Sequence, residues 1–207
     1  MKRLAIVGAG GHGRVVAETA EWCGWDDIVF YDDRHNELCQ NGPWPVIGSF
    51  FELLDCSSFD GVIVAVGKNS VRKKLLDELL NKNFPVVSFV HPSATISNYS
   101  DIGNGTIILP GAVVNMGTLV GRGCIVNTHA SIDHDCQIKD GVHISPGAHL
   151  AGGVQIGNCS WIGLGACIRE YLEVGSHVTI GAGAVVVKNI ADNLVVAGVP
   201  AKELSSI

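Results

Sequence analysis

Charge is scarce in this chain of 207 residues. Only 16% are Asp, Glu, Lys or Arg, and the balance is −6. No basic surplus exists to make a nucleic-acid footprint, and no polybasic run exists to hold an anionic membrane. Long apolar runs are also missing. None approaches the roughly eighteen residues that a membrane-spanning helix needs. The opening Met1-Lys2-Arg3-Leu4-Ala5-Ile6-Val7-Gly8 looks superficially like the start of a signal peptide, but its apolar run stops after four residues, so it reads as a strand. The seven cysteines are odd in number, scattered, and include no Cys-x-x-Cys pair. That usage suits a reducing cytoplasm, which is the expected location. Hydrophobic residues make up 47% of the chain, as in a compact globular protein.

What is present is a period of six. Every sixth residue from Ile96 to Val186 is Ile, Val or Leu, sixteen times in one register. Helices repeat near 3.6 residues and strands at 2, so neither accounts for it. A strict hexad is the mark of a parallel β-helix. Glycine often follows the aliphatic residue directly (Gly103, Gly121, Gly157, Gly163, Gly175, Gly181). Small residues recur four places after it: Ser100, Thr106, Ala112, Thr118, Cys124, Ala130, Cys136, Ala148, Ser160, Ala166 and Ala184. Each hexad then forms a short strand and a corner, and three hexads close a triangular coil of eighteen residues. The aliphatic residue points into the prism. The position four places later also points in, near a corner, where only a small side chain is expected. No charged residue occupies either inward position, and no hexad breaks register, so no loop is inserted. Any cover over a site on the prism must come from a neighbouring subunit or from the N-terminal domain.

Residues 1–90 follow another rule. Strands are expected at 2–7, 28–31, 61–66 and 84–89, with helices at 14–23 and 70–82. Alternating β and α implies a small parallel sheet, whose ligands bind at the carboxyl ends of the strands. Those ends carry Gly8-Ala9-Gly10-Gly11-His12-Gly13, Asp32-Asp33 and Gly67-Lys68-Asn69. The first matches G-x-G-x-x-G, a weak signal alone. The segment is too short for two complete mononucleotide-binding halves. A ligand-free tight turn remains open. The favoured reading is a half-Rossmann unit for one nucleotide or nucleotide-sugar. There, bare N–H groups at a helix N-terminus suit a phosphate, His12 adds a donor, and Asp32 or Asp33 accepts from base or ribose. Pro92 disfavours helix before it, and the hexads begin at Ile96. The boundary is therefore placed at about residue 90, giving domains 1–90 and 91–207.

The densest polar interruption of the hexads is Asn127-Thr128-His129-Ala130-Ser131-Ile132-Asp133-His134-Asp135. A histidine framed by carboxylates is held in one tautomer with raised basicity, as a general base requires. His134 lies two residues after an inward aliphatic, on an outward position. A solvated corner with incidental polar residues is the plain alternative. A third reading joins His129, His134, His143 and His149 as zinc ligands. γ-Class carbonic anhydrases share such a β-helix and such a site, but they have no use for the N-terminal domain, so no metal is expected.

The whole chain resembles the sugar O-/N-acyltransferases of the sialic-acid O-acetyltransferase type, and within them the PglD-type UDP-4-amino-sugar acetyltransferases. The resemblance rests on Gly8–Gly13, Phe30-Tyr31-Asp32-Asp33, Ala65-Val66-Gly67-Lys68-Asn69 with Arg72-Lys73-Lys74, Asn127-Thr128, Asp133-His134-Asp135-Cys136, His143-Ile144-Ser145-Pro146-Gly147 and Gly198-Val199-Pro200-Ala201-Lys202. It implies a left-handed β-helix behind the half-Rossmann domain. It implies acetyl-CoA as cosubstrate, a nucleotide-linked amino-dideoxy sugar as acceptor, no metal, and direct transfer with His134 as general base. Asp135 stands where the bacillosamine enzyme carries Glu, which leaves open whether Asp135 or Asp133 reaches the imidazole. Gly10, Gly11, His12, Gly13, Asp32, Asp33, Gly67 and Asn69 bind the nucleotide in this reading, and Asn127 holds the sugar. His143, Gly152, Leu164, Ala182, Lys188, Pro200 and Lys202 line the coenzyme site, and the Gly152 N–H is the oxyanion donor. A homotrimer with sites shared between subunits is implied too. The alternative acceptor is a hydroxyl, on sialic acid or another polar metabolite.

Overall fold

A computed structural model describes residues 2–56 and 58–204. The chain divides into two compact units, Met1–Phe89 and Val90–Ile207. Among the described residues no helix is long and apolar enough to cross a membrane.

Among the described residues the first unit is a sheet of five strands with three helices. In chain order these are β1 (Arg3–Val7), α1 (Gly11–Trp22), β2 (Asp27–Tyr31), β3 (Gln40–Asn41), β4 (Trp44–Gly48), α2 (Phe50–Leu54), β5 (Gly61–Val64) and α3 (Asn69–Asn81). The sheet order is β3-β4-β2-β1-β5, parallel except for the β3–β4 hairpin. Ile6 of central β1 pairs with Phe30 of β2 and Ile63 of β5, and all three are fully buried. Near-continuous apolar strands are what a parallel sheet covered on both faces requires.

Several boundaries differ from the sequence-based ones. Helix α1 starts at Gly11 rather than Arg14, so half of the glycine loop is its first turn. A Cβ at Gly13 would collide with the Gly8 carbonyl oxygen, so glycine there lets α1 close on β1. Strand β5 stops at Val64 rather than 66. The expected strand at 84–89 is reduced to a bridge between Val62 and Val86 and a two-residue strand at Phe89–Val90. The β3–β4 hairpin and α2 were not expected. Ser49 and Glu52 form a capping box that starts α2: Ser49 Oγ accepts from the Glu52 N–H, and Glu52 Oε2 accepts from the Ser49 N–H at 2.6 Å.

The second unit is a left-handed parallel β-helix. Its first face stacks strands such as Val113–Val114, Ser131–Ile132 and His149–Leu150, its second Leu119–Val120 and Gln137–Ile138, its third Ile125–Val126 and His143–Ile144. Partners lie eighteen residues apart, as in Val114↔Ile132 and Ile132↔Leu150. After Val186 the coil shortens: Ile180 pairs with Val196, sixteen residues on. An antiparallel strand, Lys202–Glu203, then lies along Val195–Ala197.

The inward corner position is less restrictive than expected. Val142, Val154, Leu172 and Val178 occupy it and are buried. Only the third-to-first corner keeps one residue throughout: Ala112, Ala130, Ala148, Ala166 and Ala184, all fully buried. A second regularity lies one place earlier in the hexad, where the backbone is left-handed. Glycine fills most of these positions, including Gly111, Gly117, Gly147, Gly153 and Gly183, while His129, Asp135, Cys159, Tyr171 and His177 hold φ between 55° and 58°. Glycine is favoured there because a Cβ strains this backbone.

Candidate active site

His134 and Asp135 sit on the first-to-second corner, in the turn 133–136. The turn is held from within by Thr118, whose hydroxyl donates to the Asp133 carbonyl at 2.7 Å and accepts from the Cys136 N–H at 3.2 Å. Both ends of a four-residue turn are thus fixed by one buried oxygen. Asp135 adopts φ 58°, and its carboxylate lies where a Cβ on Gly117 would stand, 2.5 Å from Oδ1. That conformation brings Asp135 Oδ2 to 2.8 Å from His134 Nδ1. Asp133 does not reach the ring. Its Oδ1 accepts from the His134 backbone N–H at 2.8 Å and from Asn115 Nδ2 at 3.0 Å.

An Nδ1–H donating to Asp135 leaves a lone pair on Nε2. The hydrogen bond to Asp135 raises the pKa of His134, and the charges of both aspartates add to it. Asp133 is held below the usual carboxylate range by Asn115 and then by the His134 N–H. The imidazole is exposed, and its Nε2 faces Gly152 of the next coil, 2.5 Å from where a Cβ would be. Only glycine leaves that face of the ring clear.

The other predicted residues of this unit lie elsewhere on the prism. Asn127, Leu164 and Ala182 occupy the third-to-first corner, and His143 the third face. Thr128 N–H donates to Asn127 Oδ1 at 2.8 Å, which identifies the other amide atom as Nδ2, 3.0 Å from His143 Nε2. Asn127 therefore orients His143, with Nε2 as acceptor. Leu164, Ala182, Lys188, Pro200 and Lys202 are exposed. His129, His134, His143 and His149 are dispersed over different corners and faces. Among the described residues no three His, Cys, Asp or Glu gather as a metal site.

In the first unit a cavity of about 530 Å³ opens at the carboxyl ends of β1 and β2, lined by Gly8, Tyr31, Asp32, Asp33, Arg34, Phe51 and Lys74 among others. Asp32 ties the glycine loop down: Oδ2 accepts from the Ala9 N–H at 2.8 Å, while the Arg34 guanidinium takes both oxygens. Arg34, foremost, holds this carboxyl at a pKa of about 2. Asp33 Oδ1 accepts from the Phe50 N–H at 3.3 Å. Gly10, Gly11 and Gly67 have open space where a Cβ would stand, so nothing in the fold demands glycine there. Burial, and then the charge of Arg72, lowers the His12 pKa to about 4, so the ring is neutral. Arg72 is fully buried, with Nη1 donating to the Val66 and Gly67 carbonyls and Nη2 to Asn69 Oδ1. Buried Asn41 binds the Gly10 carbonyl and Arg14. Sequence patterning missed Asn41, because the short hairpin that carries it has no clean alternation, and it missed Thr118 and Asn115, whose roles depend on stacking eighteen residues apart.

Comparison with known proteins bears on both units. Residues 3–79 match the PglD N-terminal domain family. The acetyltransferase domain of PglB from Neisseria gonorrhoeae FA1090, solved with acetyl coenzyme A, is 46% identical, with a TM-score of 0.94, over 98% of this chain and 99% of that one. A variant of perosamine N-acetyltransferase from Caulobacter crescentus, solved with CoA and GDP-perosamine, is 31% identical, with a TM-score of 0.94, over 100% and 98%. UDP-N-acetylbacillosamine N-acetyltransferase of Bacillus subtilis (strain 168) is 36% identical over 115 residues, 53% of this chain and 52% of that protein. The chain thus matches about half the length of that curated relative. Identity over nearly full length with the two solved enzymes places this chain in the hexapeptide-repeat family of PglD-like sugar acetyltransferases.

Proposed function

We propose that this protein transfers acetyl from acetyl-CoA to the amino group of a nucleotide-linked amino-dideoxy sugar of the UDP-4-amino-4,6-dideoxy-GlcNAc type. The observation that carries the reading is the imidazole of His134, bonded through Nδ1 to Asp135 at 2.8 Å with Nε2 directed at the bare Cα of Gly152. The amine nitrogen attacks the thioester carbonyl while Nε2 takes its proton. The Gly152 N–H stabilises the tetrahedral oxyanion. The C–S bond then breaks, and the proton ends on the departing coenzyme A thiol. Holding both substrates together makes the attack nearly unimolecular. The cavity in the first unit takes the nucleotide. Open space at Gly10, Gly11 and Gly67 admits phosphates close to the backbone. The relatives' bound CoA, GDP-perosamine and acetyl coenzyme A support both assignments.

The working form is a homotrimer. His134 and Gly152 lie on the first-to-second corner, Leu164 and Ala182 on the third-to-first, a full face apart in one chain. One groove uses both sets when the corners belong to neighbouring protomers, and three-fold closure makes three equivalent grooves. The test is thiol release from acetyl-CoA with a panel of nucleotide-linked amino sugars. Turnover of at least one amine is expected. Turnover of sialic acid alone would replace the amine reading with O-acetylation.

A further inference from the structure

Tyr171 is the anomaly among the left-handed corners. It holds φ 56° and is 72% exposed, so neither backbone preference nor core packing explains an aromatic residue there. Most equivalent positions carry glycine, and a bulky side chain in this conformation is an outlier that something must compensate. Tyr171 stands two coils beyond Asp135 in the same column of the first-to-second corner. Its ring folds back over Gly153, where a Cβ would overlap ring carbon Cδ1. Its backbone N–H donates to the Gly152 carbonyl at 2.9 Å. Two adjacent glycines thus present bare Cα atoms to two rings, Gly152 to the imidazole of His134 and Gly153 to the phenol of Tyr171. The phenolic oxygen has no hydrogen-bond partner among the described residues.

We propose that Tyr171 is a donor-binding residue whose ring forms a wall for the thioester end of the coenzyme A arm. This rests on the acetyl-CoA reading given above. The side of the site decides the ligand. Residues assigned to the coenzyme (Gly152, Leu164, Ala182, Lys202) all follow His134 along the prism, and so does Tyr171, whereas the acceptor is assigned to residues that precede it. A flat, exposed ring beside the oxyanion donor offers apolar area to the mercaptoethylamine chain at little entropic cost. The ring does not touch reacting atoms through a polar group, so its effect falls on donor affinity rather than on proton transfer.

Tyr171→Gly separates this role from a structural one. Glycine is the residue the backbone prefers here, so the melting temperature is expected to hold or rise. The dissociation constant for coenzyme A, read by calorimetry without any acceptor, is expected to rise about tenfold, as is KM for acetyl-CoA, with the acceptor KM unchanged. Tyr171→Phe keeps the ring and is expected to bind as the unaltered protein does. Coenzyme A affinity unchanged in Tyr171→Gly would overturn the inference. So would a rise in acceptor KM alone, or a weakened oligomer with unaltered coenzyme affinity, which would make the ring a subunit contact. Failure of the unaltered protein to bind coenzyme A would instead defeat the underlying acetyl-CoA reading.

Discussion

Two corners of the prism obey one hexad and use it differently. The third-to-first corner repeats alanine at the inward position from Ala112 to Ala184. At the first-to-second corner the inward residues are Ser100, Thr118, Cys136, Val154 and Leu172, small in the first three coils and larger aliphatics in the last two. The alanine corner is closed sterically, and its five side chains are fully buried. The other corner has room, and that room admits a hydroxyl, Thr118, that organises a turn. The same device recurs where no histidine stands: Thr106 bridges the Gly121 carbonyl and the Cys124 N–H, and Ser160 bridges the Gly175 carbonyl and the Val178 N–H. Thr118 is therefore part of the fold, and the His134–Asp135 pair stands on the turn's outer side. A repeat can fix a backbone everywhere while leaving one corner free to carry function.

Six substitutions test that division. His134→Ala should lower kcat by about 10²–10⁴, the range for a positioned base, with nucleotide-sugar binding and melting temperature retained. Near-normal turnover would remove the active corner from the comparison altogether. Asp135→Asn should lower kcat about tenfold and move the acid limb of the pH–rate profile. In the proposed mechanism His134 acts in its neutral form, so rate should rise with pH through its pKa. That pKa lies above the ordinary 6.5 chiefly because of the bond to Asp135, and the limb should shift to lower pH when the charge is removed. Asp133→Asn should shift it less, since Asp133 binds the backbone of His134. Ala148→Leu should overpack the closed corner and cost about 3 kcal/mol by denaturant melt, whereas Val154→Leu at the open corner should cost under about 1.5 kcal/mol. Equal costs would erase the steric distinction between the corners. Thr118→Val should cost about 1–2 kcal/mol, for an unsatisfied carbonyl and N–H, together with a smaller fall in kcat as the turn loosens.

The prism was legible because its signal is additive. Each hexad repeats the same inward aliphatic, and a chain of such positions leaves one geometry open. The left-handed position was not legible, because His129, Asp135, Cys159, Tyr171 and His177 interrupt its glycines. His134 could be singled out, but its partner could not. Asp133 and Asp135 flank it equally in sequence, and only the φ of 58° at Asp135 turns that carboxylate to the ring. In the first unit the main parallel strands were plain from their apolar runs. The β3–β4 hairpin was hidden by Pro43 and Pro45, which punctuate the segment and break any alternation. Asp32 lines the cavity, yet it bonds the Ala9 N–H and the Arg34 guanidinium, contacts that composition cannot display.

The shortened last coil has a consequence for how this molecule behaves among its own copies. A stack of parallel coils exposes a growth front, a strand edge ready to template another strand. On the third face that edge is Val195–Ala197, and Lys202–Glu203 runs back along it in the opposite direction. Reversed and charged, this strand leaves no open parallel edge on that face for a further coil to pair with.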